Sequence, residues 1–331
     1  MEKKYTPYTL GYNTGERKDT FENWGLVNLE DRLERYDFMR KASGYTLTNS
    51  IRRVALAGFV HEADVTKFWA EYKKLCVSGK HEKKITFNTL MLKVIAESIK
   101  ASPILNAHMT FNYTANTGNI NYKKQIDVAM PMIFPNGRML TLLVKDVGNK
   151  SLDEIAEYVA DLERRLANTV LDETLRALSF DRMIGMALKG NLITPIASAA
   201  AFFFGPHKIK RMPKDAVEEY KREMKAGNAL TKDDVGEGTI CISNVGSIYG
   251  GRGFATTSPI LGNATSCMAF SKVQDEQFVY KDENGEVQID TKKILPFTLL
   301  FDHKIGGLPD CVPFLHRMDE IFQNPEIIHT W

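Results

Sequence analysis

The chain has 331 residues, 44% hydrophobic, 25% charged and 10% aromatic, which supplies a sizeable core and excludes a disordered polymer. Forty-three Lys and Arg against 41 Asp and Glu leave a net charge of +2, so no general field exists to recruit nucleic acid or an anionic membrane. Cys76, Cys241, Cys267 and Cys311 form no CxxC pair, which argues against a zinc site and a disulfide framework. With no secretory h-region and no apolar run of about 20 residues, these features point to a reducing cytoplasm.

No Pro/Ser/Gly linker divides the chain, and a single α/β domain with insertions is expected. Residues 1–43 read as a polar N-terminal arm leading into a short helix at DRLERYDFMRK, with the main domain at 44–331. Strand formers at 53–60 precede a helix at 64–75, opened by the capping residue Asp64. Residues 85–100 are apolar enough for a largely buried helix, which Ser102-Pro103 ends. Two strands, 119–132 and 140–147, are expected to join through a Pro135-Asn136-Gly137 turn. Ser151 with Glu154 three residues on is a capping box for an amphipathic helix over 151–168.

Residues 180–235 read as an insertion, with an apolar stretch at 192–204, a basic run at 207–211 and a charged helix around DAVEEYKREMK. Strands follow at 239–243 and 266–270, separated by a Gly-rich region. After a polar hairpin at 281–286, a last strand at 297–301 runs into Asp302-His303, and 311–322 is helical. Strands and helices are mixed, and no internal repeat is visible.

Three stretches carry a more specific signal. GTICISNVGSIYGG (238–251) and LPFTLLFDHKIGGL (295–308) resemble the paired TISNxG and DHRxxDG motifs of the catalytic domain of 2-oxoacid dehydrogenase acyltransferases. IDVAMPMIFPNGRMLTLLVKDVGNKSLDEIAEYVADLERR (126–165) is similar to that family's central hairpin and helix, and MRKA (39–42) and EADVT (62–66) to its opening. The order is the family's throughout, over about 39–180 and 236–328. The resemblance implies the chloramphenicol-acetyltransferase-like fold, a mixed sheet flanked by helices, assembled as homotrimers with active sites between neighbouring subunits. It implies His303 as the general base and Ser243 as the oxyanion donor, meeting across a subunit boundary, with the nucleophile attacking the thioester directly and no acyl-enzyme. It further implies CoA or acyl-CoA as co-substrate, with a lipoyl or acyl carrier protein as an expected partner.

Physical chemistry fits these roles. Histidine titrates nearest neutrality and suits a step in which one proton leaves the nucleophile and returns to the leaving group. A serine hydroxyl aimed at developing negative charge in a dry site is worth on the order of 3 kcal/mol. Without the motifs, His303 reads more readily as a structural hydrogen-bonding residue than as a catalytic one, and Ser243 equally as a strand hydroxyl bonded to a neighbouring carbonyl. Gly246, Gly250, Gly251 and Gly253 would let a thin substrate approach the backbone, although tight hairpins need the same residues. Asp302 reads as structural, the cysteines as core fillers, and His61, His81, His108, His207, His316 and His329 share no metal-ligand spacing, so no metal is expected.

Two departures from the family pattern stand out. Gly307 occupies the position, four after the histidine, where the family carries Asp or Asn, and no lipoyl or subunit-binding segment is seen upstream. They motivate two rivals to an acyltransferase using a carrier-borne or CoA thioester. One is a catalytically silent trimeric scaffold of a multienzyme complex. The other is a membrane-surface acyltransferase on lipid-like acceptors, contacting the bilayer through 192–211.

Overall fold

The computed structural model of the chain describes residues 33, 36, 38–133, 139–188, 193, 196, 197, 199, 204, 213–256 and 260–331. Two compact units are formed, one from Met1–Tyr45, Pro131–Thr141 and Leu162–Val235, the other from Thr46–Met130, Leu142–Asp161 and Gly236–Trp331.

The second unit is built on β9 (Val287–Asp302), whose residues 294–302 are all buried, the unbroken pattern of a central strand. On one side it pairs antiparallel with β1 (Leu56–Asp64) and on the other with β7 (Ser266–Phe270). The sheet continues through β6 (Ile240–Asn244), parallel to β7, to β4 (Val128–Ile133), parallel to β6, and then β5 (Met139–Val144). β8 (Gln274–Lys281) pairs with the polar outer half of β9. This pairing makes β9 a 16-residue strand rather than the five-residue one expected, because 287–293 satisfy their backbone against β8 instead of turning away. The hairpin closes on Asp282, whose Oδ1 accepts from the N–H groups of Asn284 (2.9 Å) and Glu286 (3.0 Å).

Helices cover the sheet. Thr86 caps α3 (Phe87–Ile99) by accepting from Thr89 N–H at 3.1 Å, and ten of its 13 residues are buried, as its apolar sequence requires. α7 (Leu308–Gln323) packs on α3, on β1 and on α2 (Thr66–Val77). Asp64 Oδ1 accepts from Thr66 N–H at 3.0 Å just ahead of α2, but Asp64 ends β1 and the N-cap position falls on Val65, one residue later than expected. The Ser151–Glu154 box before α4 (Leu152–Ala167) forms in both directions, at 2.7 and 3.2 Å.

Some sequence expectations needed correction. α1 spans Phe38–Arg53 and β1 starts only at Leu56; the apolar positions of α1 do not line one stripe, so periodicity hid its length. The expected strand at 119–132 is two strands in two sheets. β3 (Thr117–Tyr122) pairs with β2 (Ala107–Asn112), and β4 belongs to the main sheet. The side-chain amide of Asn106, donating to Lys123 O at 2.9 Å and Gln125 O at 3.1 Å, turns the chain between them. The Pro135-Asn136-Gly137 turn lies outside the described residues.

The first unit contains α5 (Leu171–Leu188), which was not foreseen, and α6 (Lys214–Lys225), the expected charged helix. Tyr220 of α6 bonds Thr174 of α5 through its hydroxyl at 2.6 Å, and Arg165 grips Asp234 with two hydrogen bonds of 2.6 and 3.0 Å. The apolar and basic stretch 192–211 lies almost wholly outside the described residues. Among the described residues no helix is long and apolar enough to cross a membrane.

Candidate active site

Ser243 sits half-buried on β6, in register with Ala269 of β7, which itself faces Thr298 of β9. Two glycines fix that strand. Gly238 enters β6 with φ +62°, and a Cβ there would lie 2.5 Å from Asp127 O and 2.8 Å from Ala129 N, so only glycine lets β6 dock on β4. At the far end, Asn244 Oδ1 accepts from Ser247 N–H at 3.1 Å, and a Cβ on Gly246 would lie 2.3 Å from Lys272 N. The SNxG signature is therefore a turn pressed against the chain leaving β7. Of the two readings of Gly246, the tight turn holds; its missing side chain serves a backbone contact rather than a substrate.

His303 follows the last residue of β9. Its N–H donates to Ala55 O at 2.7 Å, and its exposed ring lies tilted against Phe301 with centroids 5.9 Å apart. Asp302 is fully buried. Its Oδ1 accepts from the N–H groups of Ala55 (3.2 Å) and Lys304 (3.1 Å), and its Oδ2 from Lys304 Nζ (2.8 Å). Lys304 Nζ also donates to Arg53 O. Beyond the turn, Gly307 N–H donates to Asp310 Oδ2 at 2.8 Å at the head of α7. A Cβ on Gly307 would lie 3.9 Å from His303 Cε1 and 3.3 Å from Pro309 Cδ. The sequence marked Asp302 as orienting the strand end or pairing with a basic residue, and it does both; Lys304, its partner, was missed, although opposite charges two apart were legible.

The two motif residues do not meet within one chain. Ser243 is level with Thr298, and His303 follows Thr298 by five residues, so they are offset about 16 Å along the strands. Across the sheet they lie two strands apart, a further 9–10 Å or so. Their Cα atoms are therefore separated by roughly 19 Å, too far for a histidine and a serine side chain to share one reacting atom.

At the His303 end of the sheet, a cleft of about 610 Å³ opens beside Gly238, lined among others by His108, Lys123, Lys124 and Asp127. His108 is committed to the fold, donating from Nε2 to Gly238 O at 2.9 Å. His61, His81 and His329 pair with Asp319, Asp153 and Glu71. Among the described residues no group of three or more His, Cys, Asp or Glu side chains is placed to hold a metal ion. Cys241, Cys267 and Cys311 are buried, whereas Cys76 is exposed near the end of α2 and fills no core. Burial pushes the Cys241 thiol up to about 12, and burial together with the Asp310 charge pushes Cys311 up to about 11. Neither is a thiolate nucleophile at neutral pH.

The model of the 2-oxoacid dehydrogenases acyltransferase (catalytic domain) family matches residues 29–174 and 184–330. The chain belongs to that family. A curated relative is the dihydrolipoyllysine-residue succinyltransferase component of the 2-oxoglutarate dehydrogenase complex of Buchnera aphidicola subsp. Schizaphis graminum. It is 27% identical over 136 residues, 40% of this chain and 33% of the relative. The match thus spans about a third of that relative's length. A probable dihydrolipoamide acetyltransferase from Listeria monocytogenes superposes with a TM-score of 0.59 at 15% identity, over 89% of this chain and 95% of that one. The dihydrolipoamide acetyltransferase of Azotobacter vinelandii gives 0.59 at 17% identity, over 90% and 94%. In that protein a serine, a histidine and an asparagine four residues beyond the histidine were investigated for roles in catalysis. These structures establish the fold, a mixed sheet flanked by helices, for the family member described here.

Proposed function

We propose that this family member is an acyltransferase that moves an acyl group between a thioester, on CoA, a lipoyl group or a carrier protein, and a thiol, hydroxyl or amine acceptor. His303 is the base and Ser243 the oxyanion donor, each site being shared by neighbouring subunits of a homotrimer in the cytoplasm. The observation that carries this reading is the roughly 19 Å separation of the two motif residues on one sheet. A single chain holds two half-sites, and a ring of copies would join the His303 end of one to the Ser243 end of the next.

The chemistry follows from those ends. His303 takes the proton from the acceptor as its nucleophilic atom attacks the thioester carbonyl. The carbonyl oxygen becomes an oxyanion, which the Ser243 hydroxyl of the neighbouring subunit stabilises by donating a hydrogen bond. Collapse breaks the C–S bond, and the departing sulfur recovers the proton from the imidazolium. No acyl-enzyme is required, in keeping with the raised Cys241 and Cys311 thiols. The relatives' acyl groups and lipoyl partners make acyl-CoA with dihydrolipoamide, or with a free lipoyl domain, the first pair to try.

The test is thioester transfer from a panel of acyl-CoA donors by wild type and His303→Ala. A fall of roughly 10²- to 10⁴-fold with an intact fold is expected. Equal rates for the two proteins would remove His303 from the mechanism.

A further inference from the structure

Nothing on the side chain of Gly307 can steady His303, yet the three residues 302–304 are pinned more heavily than a strand end requires. Asp302 N–H donates to Thr265 O at 2.9 Å, His303 N–H to Ala55 O at 2.7 Å, and Lys304 N–H to Asp302 Oδ1 at 3.1 Å. The carboxylate of Asp302 is buried, and Lys304 Nζ closes on it at 2.8 Å while also reaching Arg53 O. A buried ion pair contributes little to stability compared with apolar side chains of the same size, because both ions lose their water. Folding alone does not account for placing one immediately before and after the histidine.

Resting on the acyltransferase reading, we infer that Asp302 and Lys304 are positioning residues for His303, at a site where residue 307 has no side chain to offer. They act in two ways. Their hydrogen bonds to Ala55 N–H, Lys304 N–H and Arg53 O fix the main chain from which the imidazole projects. Their opposite charges stand immediately before and after His303 in the chain, so that removing one of them alone leaves the other unbalanced next to it. Other ionisable groups on the elements packed here include Arg53 at the end of α1, which donates to Gly262 O, Asp310 and Cys311 at the head of α7, Tyr113 after β2, which donates to Arg53 O, and, further along β1, His61 paired with Asp319 and Asp64 paired with Lys292. Asp310 is held by Gly307 N–H, which leaves the 302–304 pair as the charges bracketing His303 in the chain.

The experiment compares Asp302→Asn, Lys304→Met, the double variant carrying both, and Lys304→Arg in the full-length protein. Two quantities are read: kcat and KM for thioester transfer per folded molecule, and the titration midpoint of His303 by NMR with ¹³Cε1-histidine, assigned with His303→Gln. Removing the anion disfavours the imidazolium, so Asp302→Asn should move the midpoint to lower pH; removing the cation should move it to higher pH in Lys304→Met. The double variant, which leaves no unpaired buried charge and so guards against misfolding of the single ones, should return the midpoint towards wild type. Both charge-removing single variants should lower kcat by roughly 10- to 10²-fold with KM little changed, because a small misplacement of the base costs that much. Lys304→Arg should restore both readouts.

If the single variants lose only stability, with kcat per folded molecule and midpoint both unmoved, the pair is merely structural and the inference is overturned. Shifts in the same direction for both would overturn it as well. Should wild type transfer no acyl group to any acceptor, the acyltransferase reading fails by itself, and the NMR midpoints still decide whether the pair governs His303.

Discussion

Mixing two inactive variants gives the sharpest test of the shared site. His303→Ala and Ser243→Ala each remove one half of the chemistry, and Ser243→Ala alone should lower kcat by about 10²-fold or more. Because Ser243 and His303 of one chain are roughly 19 Å apart, no conformational adjustment of side chains lets either variant repair itself. In the proposed ring of three, each site would draw its histidine from one subunit and its serine from the next. After random exchange at equal amounts, a site has one chance in two of an intact histidine and, independently, one in two of an intact serine. About one quarter of wild-type turnover should therefore return, on the simple arithmetic of a heterologous ring. The assay is transfer from acyl-CoA after the variants are unfolded and refolded together, with exchange verified by mass on differently tagged chains. A recovery near zero despite proven exchange, or a monomeric mass at working concentration, refutes the shared-site reasoning.

Three further outcomes follow from the geometry. Gly238→Ala should cost about 2 kcal/mol or more by urea unfolding, since it adds a Cβ 2.5 Å from a backbone oxygen at φ +62°; a loss within the scatter of surface variants would mean β6 does not need this close approach. Asp234 is pushed up by its burial, but the Arg165 fork and the Thr231 donors outweigh that and hold its carboxyl below the ordinary 3.8. A depressed carboxyl contributes stability above its unfolded value and loses it as pH falls through the folded one, so the advantage of wild type over Arg165→Met, about 3 kcal/mol near neutrality, should shrink below about pH 4. A pH-independent difference between the two unfolding curves would contradict that assignment. Finally, Gly307→Asp places a carboxylate beside His303, where even the Cβ is 3.9 Å from Cε1. The acid limb of kcat/KM should move to higher pH, and an unmoved limb would show that residue 307 does not address the base.

The family, the motif residues and most helices were legible in the sequence because their signals are local. A capping box needs only Ser151 and Glu154 three apart, and an unbroken apolar run ending in Asp302-His303 marks a central strand wherever it lies. What could not be read depended on partners distant in the chain. Strand 119–132 looked continuous until the Asn106 amide was seen holding Lys123 and Gln125 and dividing it between two sheets. β9 looked short because its polar half is a strand only by virtue of β8. Gly246 left a substrate-facing and a tight-turn reading open because a missing Cβ carries no record of whether a ligand or Lys272 fills the space. The same distinction governs the site. Sequence alone singled out Ser243 and His303 as the candidates, since residue type and motif fix proton affinity and hydrogen-bonding capacity. Only the strand order and register decided that Ser243 and His303 stand at opposite ends of one sheet, and that a buried Asp302–Lys304 pair flanks the histidine. Long-range pairing is set by which backbones bury together, and a linear pattern does not encode that distance.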